Sequence, residues 1–321
     1  METNWIVTYS GGFWSPHGSV GTPIAIEKHF TWGENRFYVP AAYLCDEGLV
    51  LDICAEIERE DIRAFLDKWY SHLTQPLELP HNLREQIEQE NPMAKDYYAN
   101  VSVNGQPLSR DRACGIGWVP PELLPDEKIN DHAEVVLRNY GLNPAQGWSF
   151  RRVSLKWTVE KPPKIDSLTL TLSQRPRSIP GKPFEMPAIG ESVEIIHPLR
   201  EETYTLTVQA VSREQVSDRL TRPGLPEHAL FMSCTLSPDL HSEHFQLRDT
   251  VEDERSKQQE QAASIGIIGG ADGPTAIAFL TPQQPHLHCA VSSMRYAPPE
   301  TVVWQPVFRE KLVEDITIEL I

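Results

Sequence analysis

The sequence is poor in cysteine and in positive charge. Its five cysteines, at positions 45, 54, 114, 234 and 289, are odd in number, and no two of them have CxxC spacing. This pattern argues against a disulfide framework and against a structural zinc site. Lysine and arginine total 29 against 45 acidic residues, so the formal net charge is -16. Because such a chain repels phosphate groups, we expect neither nucleic acid nor an anionic lipid surface as a partner.

Long apolar runs and familiar catalytic motifs are also missing. The sequence has no run of eighteen apolar residues, whereas a membrane-spanning helix needs about twenty. The first residues, METNWIVTYSGG, lack the basic and apolar regions of a signal peptide. No GxSxG, GxxxxGK or HExxH motif is present, so the common hydrolase, nucleotide-binding and metalloprotease templates find no support. We therefore predict a soluble, cytoplasmic protein with no integral membrane segment and no cofactor.

Length and composition predict two folded domains. The chain has 321 residues and 40% hydrophobic content, and roughly one domain is expected per 150 residues. Helix-type spacing is confined to the first part, and a period-two pattern dominates from Gly147 onward. We predict an α+β fold, with a mixed α and β domain at 1–145 and a mainly antiparallel, sandwich-like β domain at 146–321.

The elements of the first domain follow from apolar spacing and turn residues. In GLVLDI, Val50 and Asp52 share one face of a strand, and Leu49, Leu51 and Ile53 share the other. We predict strands at 5–9, 36–43, 48–53 and 97–103, and helices at 56–73, 83–90 and 131–140, with Asn104 and Gly105 as a hairpin turn and Gly141 as a helix cap.

In the second domain, we predict strands at 148–159, 167–172, 192–196, 203–211, 229–236, 286–296, 301–308 and 316–321, with a short helix around 311–314. Four prolines between Arg175 and Gly190 predict an extended surface loop, because proline removes donors from a sheet. Residues 249–263 are charged and polar, so we predict a mobile loop there.

A glycine-rich stretch follows this loop. Ser264 to Phe279, SIGIIGGADGPTAIAF, places four glycines, one proline and one carboxylate between two apolar arms. The stretch resembles the signature of the β subunit of sodium-ion-translocating decarboxylases, membrane pumps that decarboxylate a carboxybiotin group. The resemblance covers about one residue in twenty of the chain and implies that Asp272 helps to bind sodium. As a helix the stretch would rise about 26 Å, short of a membrane core of about 30 Å.

Three interpretations of this stretch remain open. Two strands joined by a structural turn need no ligand, because glycine supplies positive φ and proline fixes the exit. Alternatively, backbone N–H groups cradle an anion and Asp272 supplies an oxygen to a cation. A third interpretation is that 249–279 contacts a protein partner by strand addition. The candidate ligand- or ion-binding residues are Gly269, Gly270, Asp272, Gly273 and Thr275.

Cys114 and two clusters of histidines carry the other side chains that could react or bind a metal. Cys114 lies in ACGIGW and would need a base such as His132 to act as a nucleophile. Histidines cluster at 241 and 244 and again at 286 and 288, the latter beside Cys289. Imidazole and thiolate suit zinc, but a strand would point His288 and Cys289 to opposite faces, so we predict neither a metal site nor a catalytic residue. We predict a non-catalytic binding or interaction module, with an ion-binding protein or enzyme using Asp272 as the alternative.

Overall fold

The computed structural model describes residues 5–73, 79, 81–124, 130–159, 162–215, 226–251 and 287–321. Within them lie three α-helices: α1 Arg59–Leu73, α2 His81–Glu90 and α3 Asp131–Tyr140. The strands are β1 Thr22–Trp32, β2 Asn35–Leu44, β3 Gly48–Ile57, β4 Tyr97–Val103, β5 Gln106–Pro107, β6 Ser109–Trp118, β7 Gly147–Lys156, β8 Leu168–Gln174, β9 Arg177–Pro180, β10 Phe184–Glu185, β11 Ser192–Ile196, β12 Thr203–Gln215, β13 His228–Ser237, β14 Phe245–Asp249, β15 His288–Val291, β16 Val303–Glu310 and β17 Ile316–Glu319.

Every pairing between these strands is antiparallel. The three helices all precede residue 141, and the described residues beyond it are dominated by strands. The predicted α+β fold, with a mainly antiparallel second part, is therefore confirmed. None of the described helices combines the length and the hydropathy that crossing a membrane requires.

The chain divides into two compact units, Met1–Arg175 with Val313–Ile321, and Pro176–Leu312. Strands β7 and β8 lie beyond residue 146 but pair with β3 and β4, so they belong to the first unit. The last strand, β17, pairs with β8 and also belongs to it. The boundary between the two units thus lies about thirty residues after the change in sequence pattern near 145. A change of periodicity shows where the local structure changes, but it does not show which strands pair.

The first unit has two sheets around one apolar core. A five-stranded sheet has the order β1-β2-β3-β7-β6, and a four-stranded sheet the order β17-β8-β4-β5. Alternation along β3 directs Leu49 and Leu51 into the same buried cluster as Leu170 and Leu172 of β8. The opposite side of the five-stranded sheet, called here the outer face, packs against α3 and against the N-terminal segment 5–21.

Local sequence explains how α3 lies on this face. Asn130 caps its first turn by accepting a hydrogen bond from the Ala133 N–H at 3.3 Å. Gly141 ends it with φ of 61°, and its N–H bonds back to the carbonyl groups of the last turn. Between these caps, Ala133, Val136 and Leu137 form the buried stripe that contacts the sheet.

The second unit is a sandwich of shorter strands. One sheet has the order β11-β12-β13-β15, and in the other β16 pairs with β14 on one side and with β9 and β10. Leu206, Leu230 and Met232 of the first sheet share a buried cluster with Trp304 and Phe308 of the second. The side chains of both inner faces therefore form one core.

Three local predictions were wrong. Residues 5–9 form no strand, and their one β-bridge joins Thr8 to Val20. Their apolar side chains pack on the outer face instead of pairing in a sheet. Residues 311–314 are not helical; the Val313 N–H bonds to Oε1 of Gln174 at 3.0 Å as the chain returns to the first unit. The predicted proline-rich loop after Arg175 contains β9 and β10, and Pro180 is tolerated because it is the last residue of an edge strand.

Candidate functional site

The predicted ligand-binding residues lie outside the described part of the chain. Gly269, Gly270, Asp272, Gly273 and Thr275 all fall within 252–286, as does most of the segment 249–279 predicted to contact a partner. Their roles stay predictions. The described residues around this gap end at Val251 and resume at residue 287.

The described cysteines are free thiols, and four of them have little nucleophilic character. Burial raises the pKa of Cys45 to about 11 and that of Cys234 to about 12, and it raises the pKa of Cys54 and Cys114 as well. A thiol must lose its proton to attack a substrate or bind a metal, so these groups are inert at neutral pH. His132, the base considered for Cys114, is exposed in the first turn of α3.

No three His, Cys, Asp or Glu side chains among the described residues are grouped as metal ligands, and His286 lies outside these residues. On β15, His288 is buried and Cys289 is exposed, as strand alternation predicts. Burial lowers the pKa of His288, whose ring packs edge-on against Phe245 at 5.4 Å between centroids. His241 instead contacts Glu243 at the surface, at 3.0 Å.

The second unit contains one further buried histidine, which has a structural role. Nδ1 of His197 accepts hydrogen bonds from the backbone N–H groups of Leu199 and Arg200, each at 3.2 Å. Nδ1 therefore carries no proton, and Nε2 faces Glu310 at 3.2 Å. Nδ1 therefore holds the turn after β11, whereas Nε2 lies near Glu310 of β16 without a hydrogen bond of normal geometry.

The outer face of the five-stranded sheet carries a buried ion pair. Asp52 on β3 is directly opposite Arg152 on β7, and both side chains are 2% exposed. Nε and Nη2 of Arg152 donate to the two carboxylate oxygens of Asp52 at 2.8 and 2.7 Å, a bidentate geometry. Burial alone would lower the pKa of Arg152, but the charge of Asp52 outweighs it and the net pKa is raised.

Two tyrosines extend this pair into a network. The Tyr140 hydroxyl, from the end of α3, donates to Oδ2 of Asp52 at 2.6 Å. The hydroxyl groups of Tyr140 and Tyr43 are 2.8 Å apart, and the indole N–H of Trp5 donates to Tyr43 at 3.1 Å. Burial, and then the charge of Asp52, raise the pKa of Tyr140. All of these polar groups therefore have partners within the network.

The N-terminal segment 5–21 covers this network. Nη1 of Arg152 donates to the Gly12 carbonyl at 3.2 Å, and the hydroxyl of Ser154 donates to the carbonyl of Tyr9. The guanidinium carbon of Arg152 lies 4.4 Å from the centroid of the Phe13 ring. We call this covered region, centred on Asp52 and Arg152, the closed part of the outer face.

A cleft of about 270 Å³ opens at one corner of the same face. It lies where β1, β2, β3 and β7 run side by side, because Tyr38 pairs with Cys54 and Glu56 pairs with Trp148. The side chains and backbone that line it include those of His29, Thr31, Arg36, Tyr38, Glu56 and Trp148. We call this region the cleft.

Aromatic rings and charges define the chemistry of the cleft. The rings of His29 and Tyr38 are stacked, with centroids 4.2 Å apart and planes 16° apart. Burial, followed by the charge of Glu27, raises the pKa of Tyr38. Nη2 of Arg36 lies 2.9 Å from Glu56 and 2.8 Å from Glu58. The cleft thus combines flat apolar surface with accessible polar groups, as small-molecule sites do.

Sequence analysis missed both parts of the outer face, although a signal for the closed part is present. Asp52 interrupts the apolar run GLVLDICAEI, and Arg152 interrupts WSFRRVSLK. A charged side chain on a buried strand requires a partner of opposite charge. Asp52 and Arg152 each therefore indicate that the core contains a buried counter-charge. The cleft has no comparable signal because His29, Tyr38 and Trp148 come from three separate strands.

The chain matches no family model, no curated protein and no solved structure. Function is therefore inferred from the chemistry of the closed part and of the cleft.

Proposed function

We propose that the protein is a non-catalytic binding module and that the cleft is its binding site in the first unit. The observation that carries this proposal is the contrast in accessibility on one sheet face. In the closed part, Asp52, Arg152 and Tyr140 are hydrogen-bonded to one another, whereas at the cleft His29 and Arg36 are exposed and Tyr38 is half-buried. Four thiols with raised pKa values give no support for covalent catalysis by cysteine.

The free thiols also support a reducing location, and we propose the cytoplasm. The net charge of -16 supports a partner that is neutral or positively charged, and not a nucleic acid.

The binding proposal is tested with small aromatic compounds carrying positive, neutral or negative groups. Saturation-transfer NMR would detect those that bind the full chain, and mass spectrometry would show whether they are recovered unchanged. We expect binding that the double variant His29→Ala/Tyr38→Leu loses, because it removes the stacked rings. The matched control is Tyr98→Ala, which removes a tyrosine that is 39% exposed on β4 of the other sheet. Binding that survives the double variant, or chemical conversion of a compound, would contradict the proposal.

A protein partner for 249–279 is a separate part of the proposal and rests on the sequence. Deleting 264–279 should leave the fold intact, by circular dichroism, and remove a protein that co-purifies with the full chain. An unchanged melting temperature would show that the loss of the co-purifying protein does not come from unfolding.

The alternative, ion binding or catalysis through Asp272, makes a different prediction. If Asp272 binds an ion, sodium or calcium should raise the melting temperature of the wild-type chain. Asp272→Asn should then abolish this rise. A melting temperature that does not respond to either ion would leave the structural turn and the contact with a protein partner as the remaining interpretations.

A further inference from the structure

The charges at the cleft do not balance. One nitrogen of Arg36, Nη2, is paired with the carboxylates of both Glu56 and Glu58. One positive charge therefore faces two negative charges, and this group of three side chains has a net charge of -1. The side chain of Glu56 is 20% exposed and that of Glu58 is 53% exposed. Free carboxylate lone pairs therefore remain accessible to a donor that enters the cleft.

Two cations elsewhere in the first unit show how this unit binds positive charge. Arg152 combines a carboxylate, Asp52, with the face of Phe13 at 4.4 Å. Lys68 likewise combines Glu90 at 2.7 Å with the ring of Trp69 at 4.7 Å. Each cation has a carboxylate at one side and an aromatic face at another, an arrangement that stabilises positive charge twice.

The cleft contains the same two components. Glu56 and Trp148 are directly opposite each other on β3 and β7, and the stacked pair of His29 and Tyr38 forms another wall. Its volume of about 270 Å³ lies just below the range of about 300 to 1,000 Å³ typical of drug-sized ligands. A cleft of this volume accommodates a single small chemical group but not a large cofactor.

We propose that the cleft binds a planar organic cation, an amidinium or guanidinium group, with its N–H donors on Glu56 and its flat face against the aromatic walls. This inference rests on the binding function proposed above and specifies its ligand class. The net charge of -16 raises the local concentration of cations around the chain and speeds their association. The group belongs either to a small molecule or to an arginine side chain of a partner protein.

The test uses three probes of equal shape and different charge: benzamidine, benzamide and benzoate. Their binding to the full chain would be followed by NMR, through the indole N–H signal of Trp148, assigned with Trp148→Phe. We expect benzamidine to bind at least about tenfold more tightly than benzamide, as one charge-assisted hydrogen bond implies. Benzoate should not shift the signal. N-acetylarginine methylamide tests whether the ligand is an arginine side chain of a partner protein. Its binding would indicate that such an arginine also fits the cleft.

Glu56→Gln removes the charge and keeps the volume of the side chain. We expect it to weaken benzamidine about tenfold and to leave benzamide unchanged. The matched control is Asp166→Asn, which neutralises an exposed carboxylate paired with Lys164 at 2.6 Å. It should not affect any probe.

Two results would overturn the inference and leave the binding function in place. Equal affinity for benzamidine and benzamide would show that charge is not recognised, and preference for benzoate would show that Arg36 selects anions. Failure of every probe to shift Trp148 would instead count against the cleft as a binding site.

Discussion

Two arginine–carboxylate pairs on one sheet face differ in geometry and in burial. Arg152 contacts Asp52 through two nitrogens, whereas Arg36 contacts Glu56 through one. Arg152 and Asp52 are 2.7 Å apart and Arg36 and Glu56 are 2.9 Å apart, so the contacts are alike in length. The side chains of the first pair are 2% exposed, whereas those of the second are 55% and 20% exposed. Water solvates the second pair and screens its attraction. The buried pair in the closed part is therefore fixed, whereas the exposed carboxylate at the cleft can exchange Arg36 for another donor.

Removing one partner from the buried pair gives the largest expected effect. Arg152→Met leaves the Asp52 carboxylate buried without its counter-ion, and we expect the free energy of unfolding to fall by about 3 to 5 kcal/mol. Urea denaturation followed by circular dichroism measures this change. The double variant Asp52→Leu/Arg152→Met should recover most of the loss, because no charge is left buried. A loss below about 1 kcal/mol for Arg152→Met would mean that the closed part is open to water.

The second-largest effect is expected from alkaline pH, which should lower the free energy of unfolding. Burial raises the pKa of the Cys45 thiol from 9.0 to about 11 in the folded chain. Because the folded pKa is higher than the unfolded one, this stabilisation is complete below about pH 9 and is lost as the pH rises through about 11. At about 1.4 kcal/mol per pKa unit, the loss is about 2 to 3 kcal/mol.

Urea denaturation between pH 8 and pH 11 measures this alkaline loss. Cys45→Ala removes the thiol and should reduce the fall by about 2 to 3 kcal/mol. The rest of the fall comes from other buried groups with raised pKa values, such as Cys234 and Tyr140, and should persist. The control is Cys289→Ala, which removes an exposed thiol on β15. Cys45 lies in a buried cluster with Val7 and Tyr9 of the N-terminal segment. A wild-type curve that does not fall over this range would contradict that burial.

The smallest effect is expected at the cleft. Arg36→Gln breaks an exposed pair, and we expect the free energy of unfolding to change by less than about 1 kcal/mol. The same urea assay at low and at moderate salt measures it, because salt weakens only the exposed pair. A loss as large as that of Arg152→Met would show that burial does not separate the two pairs.

Sequence patterns predicted elements that depend on local contacts. Helix α3 was predicted from its spacing and from Gly141, and both its bounds and its left-handed cap agree with the structure. Asn104 and Gly105 were predicted as a hairpin turn, and both have positive φ, of 51° and 76°. Such features are determined by neighbours in the sequence.

Two strands of the five-stranded sheet were not predicted, for identifiable reasons. In β1, a bulge between Ala25 and Lys28 breaks the alternation, and Glu27 there has φ of 50°. Strand β6 lies at the other edge of the sheet, and its first five residues are exposed and mostly polar. Edges and bulges weaken the period-two pattern from which strands are predicted.

The candidate site was harder to predict than the fold. Val50 and Asp52 were correctly assigned to one face, but alternation alone does not identify Arg152 as the residue opposite. That pairing joins residues 100 positions apart. For the cleft, the stacking of His29 on Tyr38 depends on a register that resumes only after the bulge in β1.

The return of Val313–Ile321 to the first unit affects the order in which the protein is completed during synthesis. Strand β17 pairs with β8, and its Ile318 enters the core shared by both sheets of that unit. The ribosome therefore releases all of Pro176–Leu312 before the first unit receives its last strand. The intervening unit can therefore fold before β17, which completes the first unit, has been synthesised.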